Sequence, residues 1–174
     1  VPMENPSSAI TSMQALSQVI AGYDGYEQSL HREGTDLKIR HHLQQRIKAL
    51  LKSLESAPQA VLSEDQQRLQ ELILSTRRKL GTIYQSLATP TYLGGGFFSQ
   101  DRLADRRLQR VYEFERAMII ELENLALEFV ALNSHPLHKA VIEDHFLHVQ
   151  DFIDNINQSL FEREALLLDE EYMV

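Results

Sequence analysis

Residues 108–132 read LQRVYEFERAMIIELENLALEFVAL, and this stretch decides the fold class. Leu108, Val111, Met118, Leu122, Leu125, Phe129 and Leu132 recur at steps of three and four, the spacing that stacks side chains along one face of an α-helix. No glycine or proline interrupts the run. Extended back through Ala104 to a capping position at Ser99, it predicts a helix over about 100–132. Asn133, Ser134 and His135 then form a tight turn, with Pro136 in a first-turn position. Ile142, Phe146, Val149, Ile153, Ile156 and Leu160 alternate four and three again, predicting a helix over about 136–168. At 1.5 Å per residue each of these helices is on the order of 50 Å long, and the short turn forces them into an antiparallel hairpin.

Toward the amino terminus the pattern continues. Ser63 and Gln66 form a capping box before the seam Leu69, Ile73, Thr76, Leu80, Ile83 and Leu87, a helix over about 64–88 that ends at Thr89 and Pro90. Thr35 or Asp36 is expected to cap a helix over about 36–57 with the stripe Ile39, Leu43, Ile47, Leu50 and Leu54, stopping before Pro58. Ahead of it, Ile10, Met13, Leu16, Ile20 and Tyr23 predict a helical segment within 7–33, capped by Ser7 or Ser8 after Pro6. Gly22, Gly25 and Gly34 weaken the join, leaving open whether the first two helices are one rod. All 5 prolines fall where helices start or stop, as the missing amide and the ring clash require. The expectation is one all-α domain over 1–174, an up-down antiparallel bundle of four to five long helices with left-handed packing at about 20°.

Composition narrows the function. The chain has no cysteine, which removes disulfides, cysteine-bound zinc and thiol catalysis and leaves the compartment open, the cytosol being somewhat favoured. Its net charge of -8 sits mostly in residues 134–174, which carry 9 acids and 2 bases. An acidic surface repels phosphate backbones and anionic lipids, so neither nucleic acid nor membrane insertion is expected. The opening Val1-Pro2-Met3 lacks the basic stretch before an apolar one that marks a signal peptide, and a trimmed or excised chain is expected. Arg77-Arg78-Lys79 and the series Arg102, Arg106, Arg107 and Arg110 lie among acids and read as salt-bridged helix surface. Asp151 and Asp154 stand without a second acidic motif and read as a solvated face.

Four features stand apart. In Tyr92-Leu93-Gly94-Gly95-Gly96-Phe97-Phe98, three glycines sit among large apolar side chains. The segment reads either as a loop whose aromatics plug the end of the bundle or as an apolar tongue in which Tyr92, Phe97 and Phe98 meet a partner. With Arg102 and Arg106 beyond, an anion cradle is the weaker third reading, since no Gly-Lys-Ser/Thr follows. The second feature is Glu115, which falls inside an apolar stripe, where an unpaired carboxylate is costly. It is expected to pair with an arginine or reach water, or else to act as a ligand-binding or proton-handling acid.

The third feature is on the hairpin. His138, His145 and His148 flank one helix and Glu121 and Glu128 the other; a turn centred near residues 134 and 135 puts Glu121 opposite His148 and Glu128 near Val141. Imidazoles and carboxylates meeting across helices build bundle metal sites, although Glu-x-x-His and His-x-x-x-His spacings are absent. The fourth is a second apolar stripe, Ala117, Ile120, Leu127 and Ala131, opposite the main seam of its helix. Either the first helix covers it or another protein chain does. No nucleophile-base pair and no cofactor motif stands out. The expectation is therefore a non-catalytic interaction or regulatory module that binds a protein partner or itself through Ile120, Leu127 and the aromatic loop; the alternative is a ligand- or metal-binding sensor bundle.

Overall fold

A computed structural model describes residues 7–55, 67–134 and 139–168, with side chains described from residue 11 onward except at 134 and 139. The helices are α1 (Ser7–Val19), α2 (Arg32–Glu55), α3 (Gln67–Ala88), a single turn α4 (Gly96–Ser99), α5 (Asp105–Ser134) and α6 (Lys139–Leu168); a 3-10 turn, Ser29–His31, leads into α2. There is no strand among the described residues. The chain is an all-α bundle, as the periodicity requires.

Hydrogen bonds between helices give their directions. Arg40 and Gln44 of α2 donate to the carbonyls of Leu87 and Tyr84, and Arg77 of α3 pairs with Glu55, so α2 and α3 are antiparallel. Gln150 and Asp154 of α6 meet Thr76 and Lys79 of α3 in rising order, so those two run parallel. Contacts of Glu115 with Arg163, Glu121 with Asn155 and Glu128 with His145 make α5 and α6 antiparallel. It follows that α2 and α5, which also pack together, run parallel. Successive long helices thus alternate in direction along the chain, while around the ring α2, α3, α6, α5 antiparallel neighbours (α2/α3, α6/α5) alternate with parallel ones (α3/α6, α5/α2), and the chain from α3 to α5 crosses the ring diagonally over one end. Here that end is called the top.

The core is the one the stripes define. Ile39, Leu43, Ile47, Leu50 and Leu54 are all buried, as are Leu69, Leu80, Ile83, Leu87, Val111, Met118, Leu122, Leu125, Phe129 and the six seam residues of α6. The ends of elements differ from expectation. Thr35 and Asp36 do not cap α2, which begins at Arg32, because both are claimed by tertiary partners: Thr35 Oγ1 donates to the Gly25 carbonyl (2.9 Å) and Asp36 binds two arginines. Ser99 closes α4, and α5 starts after Ala104, whose carbonyl accepts from Arg107 and Leu108. The capping box at Ser63 and Gln66, and Pro58, Pro136 and His138, lie outside the described residues.

The first two helices are separate. Gly22 and Gly25 have φ of +72° and +78°, a region open to glycine and strained for other residues. At Gly25 a β-carbon would stand 2.8 Å from the Tyr112 hydroxyl and 2.5 Å from the Glu27 carboxylate. The backbone there has to pass close to α5, which turns the chain out of α1 and delivers Tyr23 and Tyr26 to the top of the bundle.

Candidate functional site

Two regions hold the polar and apolar features that the main core does not use. The first is a buried network at the top. Glu115 is wholly buried. Its Oε1 accepts from Arg163 Nε (2.7 Å) and from the Tyr26 hydroxyl (2.6 Å), and its Oε2 accepts from the Tyr23 hydroxyl. The same Arg163 donates through Nη2 to Asp36 Oδ1 (2.7 Å) and to Tyr26 (3.0 Å), and through Nη1 to Tyr92 (3.0 Å). Tyr92 in turn donates to Asp36 Oδ1 (2.8 Å), while Asp36 Oδ2 accepts from Arg40 (2.8 Å). Two carboxylates and two guanidiniums balance in charge. The turn after α1, α2, the crossover, α5 and α6 all contribute side chains, and the Leu87 carbonyl at the end of α3 accepts from Arg40 (3.1 Å).

Burial and pairing act against one another on these groups. Desolvation raises the Glu115 carboxyl above its usual range, and Arg163 with the two tyrosine hydroxyls pulls it partly back. Tyr23 and Tyr26 are held far above the usual phenol range by burial first and by the neighbouring Glu115 second, so both stay protonated as donors. Arg163 stays charged, because the carboxylates and phenols around it outweigh its desolvation. Glu115 is a fully buried, partnered carboxylate within the fold and lines neither of the two grooves described on this surface.

The crossover is fastened to this network. Tyr92 and Phe97 are buried and Phe98 nearly so, with Phe97 packed edge-on against Tyr26 (centroids 5.4 Å) and Phe98 stacked with Tyr92. Arg32 binds the Phe97 and Gln100 carbonyls at 3.0 and 2.5 Å, and Arg107 lies 5.2 Å over the Phe97 ring. The partner-binding expectation for Tyr92, Phe97 and Phe98 is therefore corrected: these rings plug the top of the core, and the glycines allow it. Gly94 has φ +89°, and at Gly95 a β-carbon would come to 3.1 Å from the carbonyls of Tyr92 and Leu167.

The hairpin residues are also redistributed. With α5 running to Ser134 and α6 starting at Lys139, the two helices meet in a different register from that expected. Every pairing shifts by more than a turn from that expected. Glu128 binds His145 Nδ1 (2.5 Å) and Glu121 accepts from Asn155 (3.5 Å), while His148 is exposed. Among the described residues, no three metal-ligating side chains converge.

The second region is an open groove of about 620 Å³ between α2 and α5, below the network. Its floor is Leu50, Ile119, Leu122 and Phe129, its lip on α5 is Leu127 and Val130, and polar groups line the rest: His42 and Arg46 from α2, Glu123 and Asn133 from α5. Leu127 is 68% exposed, Val130 62% and Ile120, just outside the groove, 43%. Packing of α1 on α5 therefore leaves the second stripe uncovered at its two large residues; Ala117 and Ala131 are half-buried. His42 Nε2 is buried in the wall with no hydrogen-bond partner. Burial above all, and Arg46 beside it, lower the imidazole below its usual value, with Glu123 opposing.

These features define a class, a helical bundle locked at one end by a neutral polar network and open along one flank. No family model, curated protein or solved structure matches this chain. Among the described residues no helix is long and apolar enough to cross a membrane.

The groove was only half legible beforehand. Ile120 and Leu127 are read from the second stripe, but the α2 wall is not, since His42, Arg46 and Ala49 look like an ordinary polar face until α5 lies beside them. Arg40 and Arg163 do not figure in the sequence reading, and Asp36 enters it only as a cap. Their signal is a charged residue in phase with an apolar stripe: Asp36 stands three before Ile39, and Arg163 stands three after Leu160.

Proposed function

We propose that this protein works by contact, as a helical interaction module that docks an amphipathic helix along the α2/α5 flank. The observation that carries the reading is the exposure of Leu127 and Val130 on the lip of an apolar groove. Single exposed apolar residues are ordinary, whereas a continuous apolar floor with two aliphatic residues standing beside it is the form in which helices accept other helices. The groove runs from Ile119 to Asn133 on α5, about 21 Å at 1.5 Å per residue, which matches roughly four turns of a docked helix with anchors at i, i+3 or i+4, and i+7.

The test is a synthetic amphipathic helical peptide of about four turns with leucines on one face and uncharged polar residues on the other, titrated into the isotope-labelled protein. Backbone amide shifts are expected to move along residues 42–53 and 119–133 and to be lost in Leu127→Glu. Absence of any shift at millimolar peptide, or shifts confined to another face, would overturn the reading.

A further inference from the structure

We infer that the groove is the open half of a track whose other half α1 fills, and that its occupant is a partner helix lying end to end with α1 and parallel to it, with an acid on its α2 flank and a base on its α5 flank in the second turn. The inference rests on the docking reading above and adds the direction and chemistry of what docks.

The contacts of α1 fix its height and direction. The Gly25 carbonyl accepts from Thr35, and a β-carbon at Gly25 would meet both the Tyr112 hydroxyl (2.8 Å) and the Met13 side chain (3.3 Å), so Met13 sits at the height of Tyr112. The Gly22 carbonyl accepts from Lys38 Nζ. Lys38 follows Asp36 by two residues, and Asp36 shares Arg163 with Glu115, so Lys38 stands level with Ala117. Thus α1 descends in the direction of α2 and α5, from the height of Tyr112 to that of Ala117. It packs on α5 while the turn that follows it is tied to α2. The first residues of the groove, Ile119 and His42, come next below. Gly22, at φ +72°, turns the chain out of the line of α1, and that line runs on into the groove.

The lower end of α1 sets the direction of an occupant. The carbonyls of Ser17, Gln18 and Val19 accept no hydrogen bond among the described residues. Carbonyls point toward the carboxyl end of a helix and give it a partial negative charge, whereas the first amides of a helix lack acceptors. A docked helix that enters with its amino terminus uppermost brings those amides to the carbonyls of α1, and its first turn is then free of acids. A reversed helix sets carbonyls against carbonyls. Farther down, Arg46 on the α2 bank and Glu123 on the α5 bank are both exposed, and neither forms an ion pair among the described residues. Arg46 is ten residues beyond Asp36 and so level with Leu125, which places both charges beside the second turn of a helix that starts at Ile119. Pairs on the rim of a groove select orientation and register more than they add affinity.

The experiment uses the synthetic peptide of the docking test, with a nitroxide on its first or its last residue, and the isotope-labelled whole chain. The label at the amino end is expected to broaden the amides of Val19, Gly22 and Lys38, and the label at the carboxyl end those of Ser53 and Asn133. Two further peptides carry glutamate on one flank of the second turn and lysine on the other, with the flanks exchanged between them. One is expected to bind at least fivefold more tightly than the other, and the preference to invert in the double variant Arg46→Glu with Glu123→Arg, whose helix content is checked by circular dichroism. The opposite order of broadening, both ends broadening the same amides, equal affinity of the two flanked peptides, or a preference that the double variant leaves unchanged would each overturn the inference. If the groove amides shift but any of these is seen, docking stands and the end-to-end occupant falls; if no amide shifts, both fall.

Discussion

The two halves of this bundle bury their interiors by opposite means. At the top, Arg163, Asp36, Glu115 and Arg40 are removed from water together with four tyrosines; Arg163 joins Glu115 of α5 and Asp36 of α2, and Arg40 pairs with Asp36 within α2. Lower down, the α2/α5 flank is simpler in chemistry and less complete, with an apolar floor, two lip residues in solvent and an imidazole nitrogen without a partner. A buried ion network adds little net stability relative to apolar residues, because desolvation offsets attraction, but it is intolerant of losing one member. The top therefore fixes which helices meet and at what height. The flank is left able to exchange solvent for another surface.

This contrast is broken most directly at Arg163. Arg163→Met strands Glu115 as a buried charge, leaving Asp36 to Arg40 and Tyr92, and is expected to destabilise the fold by about 3–5 kcal/mol, lowering the thermal midpoint by roughly 10 °C or more for a chain of this size. Leu127→Ser, equally large in chemical change but on the open lip, is expected to stay within about 0.5 kcal/mol. Paired thermal melts decide it, and similar losses at the two sites would mean that the halves are not energetically distinct.

A smaller effect is expected at the turn that feeds the network. Gly25→Ala forces a side chain into φ +78° and against the Tyr112 hydroxyl, and is expected to cost about 1–3 kcal/mol. Gly34→Ala meets nothing within 4 Å inside α2 and is expected to stabilise by about 0.5–1 kcal/mol. Denaturant unfolding of both variants measures the difference; a neutral Gly25→Ala would show that the close approach of this turn to α5 is not required.

The smallest effect is a pH slope. Glu115 binds its proton more tightly folded than unfolded, since its carboxyl is raised above 4.5 chiefly by burial. Its ionised form therefore costs stability at neutral pH, and that cost disappears as the pH falls through the folded value toward 4.5. The stability of wild type relative to Glu115→Gln is expected to increase from pH 7 to pH 4.5, with the remaining carboxylates cancelling in the difference. A gap that moves the other way would show that Arg163 and the tyrosines outweigh desolvation.

Much of the framework is legible in the residues themselves. The seams of α2, α3, α5 and α6 follow from three- and four-residue spacing because a helix repeats every 3.6 residues and only its buried face has to be apolar. Glu115 likewise announces itself as a charge out of place, and its arginine partner is an expectation the packing meets in Arg163. Ile120 and Leu127 announce the uncovered face in the same local terms. Boundaries were less readable. Thr35, Asp36 and Ser99 have the chemistry of caps, and nothing local reveals that Asp36 is needed 127 residues away by Arg163.

Only the tertiary structure decided how the helices are arranged in the ring, which arginine answers which acid, and that the aromatic crossover is a plug. These depend on the diagonal path from α3 to α5, and a periodic stripe specifies that a face is buried without specifying against what. The same limit explains the groove. Its α5 wall is written as a local pattern of exposed aliphatic residues, while its α2 wall exists only because α2 packs beside α5 in the folded chain.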